Sequence, residues 1–282
     1  MILIADNGGT SSSWRLINPE GEVSQFKTAG FNPYHQDKQD LEQQIVPILA
    51  ELHSDVEYLY YYSTGCGAES NRVLIRNVLG KSFKKASIEV EDDMLAVARA
   101  LCGTEPGIAC ILGTGANSCY YNGHLIAEQV TSLGYVLGDE GGGAYLGKKL
   151  LADFLRSDMD EHVAKRFKKR FDISRDEVLD RVYNQEAPGR YMASYTKFLL
   201  QNIKESYCYR LVYESFCKFF EKNVLKYTKA NNVSVHFSGS VAFYFANVLR
   251  QVASDKGIVL KNVIESPIAG LTLYHNSQHF KK

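Results

Sequence analysis

The chain has 282 residues, 45% of them hydrophobic, and its 32 Lys and Arg balance 32 Asp and Glu. That supports a core large enough for two domains rather than one, and a formal charge of zero gives no field to favour nucleic acid or an anionic membrane. No apolar run is long enough to span a bilayer and no leader is evident before the first apolar run; the six cysteines form no C-x-x-C pair, and the seven histidines lack metal-ligand spacing. The expectation is a cytoplasmic protein with reduced thiols.

Residues 2–5 and 14–17 read as strands joined by a glycine turn, with a third strand at 23–28 after the hairpin turn PEGE. Residues 37–55 have helical spacing at Leu41, Ile45, Ile48 and Leu49, and Pro47 is expected to kink or interrupt that helix. The run VEYLYYYSTG reads as a buried strand, 68–83 as a helix, ASIEVEDD as a strand, and 93–103 as a helix ending at Gly103. The opening pattern then recurs in outline in GIACILGTGANSCYYNGHLIAEQV, offset by roughly a hundred residues, the scale of a duplicated domain. Residues 144–230 are mostly helical, and KRFKKR within them reads as a solvated helix face. Strand, small-residue turn and helix return from Val233, and a final strand precedes a C-terminal helix starting near Pro267. Alternating strands and helices indicate an α/β fold.

Several short segments carry chemistry. Gly8, Gly9, Thr10 and Ser11 form a candidate phosphate loop, because glycines let backbone N–H groups approach an anion and hydroxyls add donors. Asp6, at the strand end, suits magnesium held through water. Alone, this loop reads as a plain hairpin turn. GTGANS at 113–118 is a second loop of the same kind after a buried strand. It is neither a Walker A motif nor a dinucleotide fingerprint. SGSVAF at 238–243 is a third small-residue turn, explained either by tight strand–helix packing or by a base or ribose lying against it. Asp92 and Asp93 stand at a strand-to-helix junction, as an N-cap and first-turn acid or as a general base at a strand's carboxyl end. In GDEGGGA, an acidic N-cap would explain Asp139 but not three glycines at a helix start; those call for backbone room, and Asp139 and Glu140 suit ligand hydroxyls. Asn32, before a proline, is a turn residue or an amide for sugar hydroxyls.

In their order along the chain, DNGGT, EDD, GTGAN, GDEG, SGSV and SPIAGL resemble the N-acetylglucosamine kinases within the BadF/BadG/BcrA/BcrD-type ATPases, of the actin, hexokinase and heat-shock-70 superfamily. The resemblance spans nearly the whole chain. It implies two ribonuclease-H-like (actin-like ATPase) α/β domains: residues 1–104, with the helix 268–282 packing back on them, and residues 105–267, with a helical insertion at about 144–230. ATP and magnesium would lie in a cleft that closes over a sugar.

The resemblance also implies roles. The first phosphate motif maps to Asp6, Gly8, Gly9, Thr10 and Ser11, with Asp6 ordering magnesium through water. The second maps to Gly113, Thr114, Gly115 and Asn117, and the adenosine-side motif to Gly239 and Ser240. Asp93 best matches the catalytic aspartate. Sugar contacts carry over to Asn32, Asp93, Thr114, Asn117, Gly134 and Asp139. Three departures stand out. Asn7 replaces a glycine and reads as harmless at a turn. Asp92 adds a second carboxylate, which leaves open which acid acts. Leu133 stands where a tryptophan follows a glycine in the sugar loop. The activity implied is phosphorylation of an amino sugar, N-acetylglucosamine first, with N-acetylmuramic acid or glucosamine as alternatives. Of other classes, an ATPase activator of a partner enzyme would need cysteines placed to share an iron–sulfur cluster, and a sugar sensor would bind without turnover. The expected partner is a small-molecule sugar, with neither nucleic acid nor membrane, and a homodimer is one expected assembly.

Overall fold

A computed structural model of the chain describes residues 1–9, 11–34, 36–51 and 55–279. Thr10 of the first candidate loop and the side chain of Leu49 lie outside the described residues. The chain divides into two units, Met1–Thr104 with Pro267–Lys282, and Glu105–Ser266.

The first unit is built on a five-stranded sheet in the order β3-β2-β1-β4-β5. Strands β1 (Ile2–Asn7), β2 (Ser11–Ile17) and β3 (Val23–Ala29) form an antiparallel meander; β4 (Tyr58–Ser63) and β5 (Ser87–Asp92) run parallel to β1. Helices α1 (Lys38–Glu51), α2 (Glu69–Ser82) and α3 (Asp93–Cys102) connect or follow these strands. The opening run ILIA is apolar throughout because β1 is central and covered on both faces. Successive side chains alternate: Leu3 and Ala5 join the core with Trp14, Leu41, Ile45 and Leu79. Ile2 and Ile4 pack instead with Ala96 of α3 and with Ile268 and Leu271 of the C-terminal helix. That helix is tied to β4 by hydrogen bonds between Tyr62 and His275 at 2.8 Å and between Tyr60 and His279 at 2.6 Å.

Pro47 does not interrupt α1, which runs through it as one helix. The lost hydrogen bond would have gone to the carbonyl of Gln43. Both residues are exposed, so water can satisfy that carbonyl.

The second unit repeats the topology as β10-β9-β6-β7-β8. Here β6 (Gly107–Leu112), β7 (Ala116–Tyr121) and β8 (Ile126–Gln129) form the meander, and β9 (Ser234–Ser238) and β10 (Leu260–Ile264) complete the sheet in parallel. Between β8 and β9 come α4 (Gly134–Leu137), α5 (Gly143–Arg156), α6 (Glu161–Phe171), α7 (Arg175–Tyr183), α8 (Pro188–Ala193), α9 (Thr196–Gln201) and α10 (Ser206–Lys222). Next come α11 (Ser240–Tyr244) and α12 (Ala246–Asp255), and the C-terminal helix of the first unit is α13 (Ile268–His279). The helical layer has its own aromatic centre. The ring of Phe167 lies 4.6–5.0 Å from those of Phe154, Phe171 and Phe198. The architecture is the α/β, actin-like arrangement the resemblance implied, with two five-stranded sheets of matching order. Among the described residues no helix is long and apolar enough to cross a membrane.

Candidate active site

In the first unit the candidate residues come from the carboxyl ends of β1 and β5 and from two loops. Asp6 is in register with Ser13 of β2 and Tyr62 of β4. Beyond β1 the chain turns tightly, with the Gly8 N–H donating to the Ser11 carbonyl at 3.0 Å. Asn32 lies beside this turn, since a side chain begun at Gly9 would stand 3.8 Å from Asn32 Nδ2. Asn32 is also the turn residue its sequence context suggested: its Oδ1 accepts the Tyr34 N–H at 3.0 Å.

The strand end is fixed by a residue that sequence reasoning passed over. Asn7 is buried, not a turn residue. Its Nδ2 donates to the Phe31 carbonyl at 2.6 Å and to Ser63 Oγ at 2.7 Å. Its Oδ1 accepts from the Phe31 N–H and from Gln44 Nε2, each at 2.9 Å. One amide therefore joins the end of β1, the loop carrying Asn32, the end of β4 and helix α1. The only sequence signal was a polar residue closing an apolar strand. The loop after β4 was also missed. Gly65, with φ +78°, brings its backbone against Asn32 Oδ1 and Pro33.

The two carboxylates at the β5–α3 junction have different surroundings. Asp92 is the N-cap of α3, and its Oδ1 accepts the Leu95 N–H at 2.8 Å. Asp93 opens the first turn. Its carboxyl pKa is raised from 3.8 to about 6, first by desolvation and then by the charges of Asp92 and Asp6, against a lowering by the backbone N–H groups of Asp93 and Met94. Asp93 is thus the acid whose proton affinity is moved toward neutrality, beside a second carboxylate.

In the second unit the loop between β6 and β7 is held by the start of α5. The N–H groups of Gly143 and Ala144 donate to the carbonyls of Gly113 and Thr114, each at 2.8 Å. This accounts for Gly142 and Gly143 of GDEGGGA, whereas Gly141 has φ +80° and lies against Phe219, whose Cβ a side chain there would meet at 3.1 Å. A Cβ on Gly142 would meet the Gly115 backbone at 2.8 Å, and one on Gly143 would meet the Gly113 carbonyl at 3.2 Å. The backbone room they provide is taken by the loop itself. Asp139 is not the N-cap of the following helix; that position is Gly142, and no side chain caps it. Asp139 adopts φ +59°, and its carboxylate accepts the Ala116 N–H. Its pKa is raised, chiefly by burial and also by Glu140, against lowering by that N–H and by Lys148.

None of Gly8, Gly9, Gly113 and Gly115 has a left-handed φ. What Gly113 offers is space, since no protein atom lies within 4 Å of where its side chain would begin. Gly239, with φ +111°, is different. A Cβ there would meet the Leu112 carbonyl at 2.4 Å, so close packing on the end of β6 accounts for this glycine. Ser240, next to it, is exposed. Asn117 Oδ1 accepts the Ser118 N–H at 2.9 Å. Asp139, Gly138 and Leu137 line a recess of about 140 Å³ with Ala116, Lys222 and Asn223. Gly134, with φ +69°, begins the short helix that carries Leu137.

The second unit thus brings Gly113, Thr114, Gly115, Asp139 and Gly239 around one strand end, with Asn117 on the adjoining strand. The first unit gathers Asp6, Gly8, Gly9, Ser11, Asn32 and Asp93. Among the described residues no three His, Cys, Asp or Glu side chains converge as a metal centre. Cys66, Cys208 and Cys217 are free thiols.

No protein-family model matches the chain, and no curated protein matches it. Solved structures do. The chain is 36% identical to the putative N-acetylglucosamine kinase of Porphyromonas gingivalis, with a TM-score of 0.93, covering 99% of this chain and 100% of that one. The putative N-acetylglucosamine kinase of Chromobacterium violaceum shares the fold at 16% identity and a TM-score of 0.73, over 97% and 98% of the two chains. A ROK-family glucokinase of Streptomyces griseus, in complex with glucose and AMPPNP, shares it at 14% identity and 0.58, over 97% of each chain.

Proposed function

The chain belongs to the same family as the putative N-acetylglucosamine kinase of Porphyromonas gingivalis, and from that membership we propose that it transfers the terminal phosphoryl group of ATP to an amino sugar, at the 6-hydroxyl of N-acetylglucosamine. Within the families named by sequence resemblance, we assign it to the N-acetylglucosamine kinases of the BadF/BadG type. The observation that carries the reading is the Asp93 carboxyl. Its pKa of about 6 leaves it mostly ionised at neutral pH yet basic enough to take a proton.

Asp93 accepts the proton of the attacking hydroxyl. Asn32, Thr114, Asn117, Gly134 and Asp139 orient the sugar. The loops at Gly8–Ser11 and Gly113–Gly115 hold phosphate oxygens through backbone N–H groups and hydroxyls, and Gly239 and Ser240 border the adenosine. The residues fit ATP with magnesium. Gly113 leaves its approach side free of protein atoms. Asp6, at the carboxyl end of β1, supplies a carboxylate oxygen of the kind magnesium takes while it keeps waters and phosphate ligands. Magnesium, when bound, would neutralise charge on the phosphates.

A coupled ADP-release assay with magnesium and a panel of hexosamines tests this. N-acetylglucosamine should be phosphorylated, with the phosphate at position 6. If no hexosamine in the panel is turned over, the kinase reading fails.

A further inference from the structure

A second recess, of about 550 Å³, opens in the helical layer of the second unit and is lined by none of the β6–β7 loop residues. Its volume is that of a small-molecule pocket. Leu151 and Leu155 of α5 form one wall, and Val178 and Val182 of α7 the other. Val136 of α4 and Tyr183 at the end of α7 leave large apolar surfaces exposed at its mouth. The charged side chains lining it are Lys148, Arg156 and Arg175, and among the described residues none that lines it is acidic. Lys148 Nζ donates to the Tyr135 carbonyl at 3.0 Å, and an ammonium keeps further donors. Arg175 meets Asp176 at 3.2 Å on the exposed surface, a contact that solvent weakens.

We propose that this recess binds an amphipathic anion: an acyl or aryl chain in the apolar trough, with its carboxylate or phosphate at the cations of the rim. Apolar walls alone would accept any greasy molecule. Cations without a lining acid select the sign of the headgroup, and a guanidinium pair suits planar carboxylate or phosphate oxygens. α4 separates this recess from the one bordered by Asp139, because Tyr135 and Val136 face the first and Leu137 the second. The inference stands on the recess itself, independently of the kinase reading.

Calorimetry with sodium decanoate below its micelle concentration tests it, with decyl phosphate, 1-decanol and decyltrimethylammonium as the other arms. Decanoate and decyl phosphate should bind one to one, and the alcohol and the cation about tenfold or more weakly, the scale of a charge-assisted hydrogen bond. The exposed double variant Arg156→Gln/Arg175→Gln should lose about tenfold in decanoate affinity, while Lys165→Gln on α6 should not. Equal binding of decanoate and the cationic detergent, or decanoate affinity unchanged in the double variant, would overturn the proposal. So would absence of saturable binding, including the case where the chain forms a dimer that Val136→Arg dissociates, which would give the recess to a second copy.

Discussion

The carboxylate of Asp139 fills the space that a side chain on Gly115 would need. A Cβ there would meet Asp139 Oδ2 at 2.7 Å and its carboxyl carbon at 3.2 Å. The Ala116 N–H also favours the charged form of this carboxylate, so moving it aside would forfeit that interaction. The glycine in GTG therefore couples the loop to an acid from a segment more than twenty residues away.

Gly115→Ala should accordingly impair two ligands, displacing the acid assigned to the sugar and distorting the loop assigned to phosphate. The double variant Gly115→Ala/Asp139→Ala separates the causes. With the carboxylate gone the added methyl has room, and nucleotide affinity should return to within about threefold of Asp139→Ala alone, while sugar affinity stays low. Calorimetry on both ligands reads this. A double variant that binds nucleotide no better than Gly115→Ala would show that the clash is not the cause.

Gly113 and Gly147 make a contrasting pair. An alanine at Gly113 meets no protein atom within 4 Å, whereas at Gly147 it would sit 1.8 Å from the Met192 carbonyl. Gly147→Ala should cost about 1–3 kcal/mol or more, because α5 and α8 must move apart. Gly113→Ala should change stability by no more than about 0.5 kcal/mol while weakening nucleotide binding. Urea unfolding and calorimetry distinguish the two. Equal destabilisation would mean that the space beside Gly113 is needed by the protein.

The fold was legible because periodicity and repetition are local. ILIA and GIACIL are apolar runs that only a doubly covered strand explains, and each is followed by the same glycine and hydroxyl turn. What stayed hidden depends on contacts between distant segments. Asn7 acts through residues 24, 37 and 56 positions away, so one sequence could show a polar residue there but not its three partner residues. The glycines at 141–143 announced a need for room. Whether a ligand or the protein's own loop fills that room is decided by tertiary packing. Pro47 does not interrupt its helix, because a proline's cost depends on whether the carbonyl it leaves unpaired reaches water.

Asn7→Ala should be one of the most destabilising single changes in the first unit. It leaves the Phe31 N–H and carbonyl, Ser63 Oγ and Gln44 Nε2 each without a partner they have now. Gln44 Nε2 keeps the Ala29 carbonyl and Ser63 Oγ keeps the Thr64 carbonyl, so the Phe31 N–H and carbonyl are the groups left unsatisfied; at about 1–3 kcal/mol for each, a loss of about 2–6 kcal/mol is expected. Asn7→Asp should also destabilise, since a carboxylate accepts but cannot donate to Phe31 or Ser63. Chemical denaturation gives both values. A loss below about 1 kcal/mol would show that water replaces these bonds.

Asp93 and Asp92 can be told apart by pH and by stability. With a pKa near 6 in the folded protein, Asp93 as base should give a kcat/KM that rises with pH through about 6 and levels off above about 7. The stability effect has the opposite sense. The folded state holds this proton more tightly than the unfolded chain, whose value is near 3.8. The stabilisation is full below about pH 4 and is lost as pH rises through 6. At pH 7 the ionised carboxylate is a burden, relieved in Asp93→Asn. That variant should lose about 10²–10⁴-fold in turnover yet unfold about 1–2 kcal/mol later, discounted for the partial exposure of the side chain. Asp92→Ala should do the reverse, costing about 1 kcal/mol through loss of the Leu95 cap and little rate. If Asp92→Ala is the inactive variant and Asp93→Asn keeps its turnover, the base is the capping residue and the roles assigned to the pair must be exchanged.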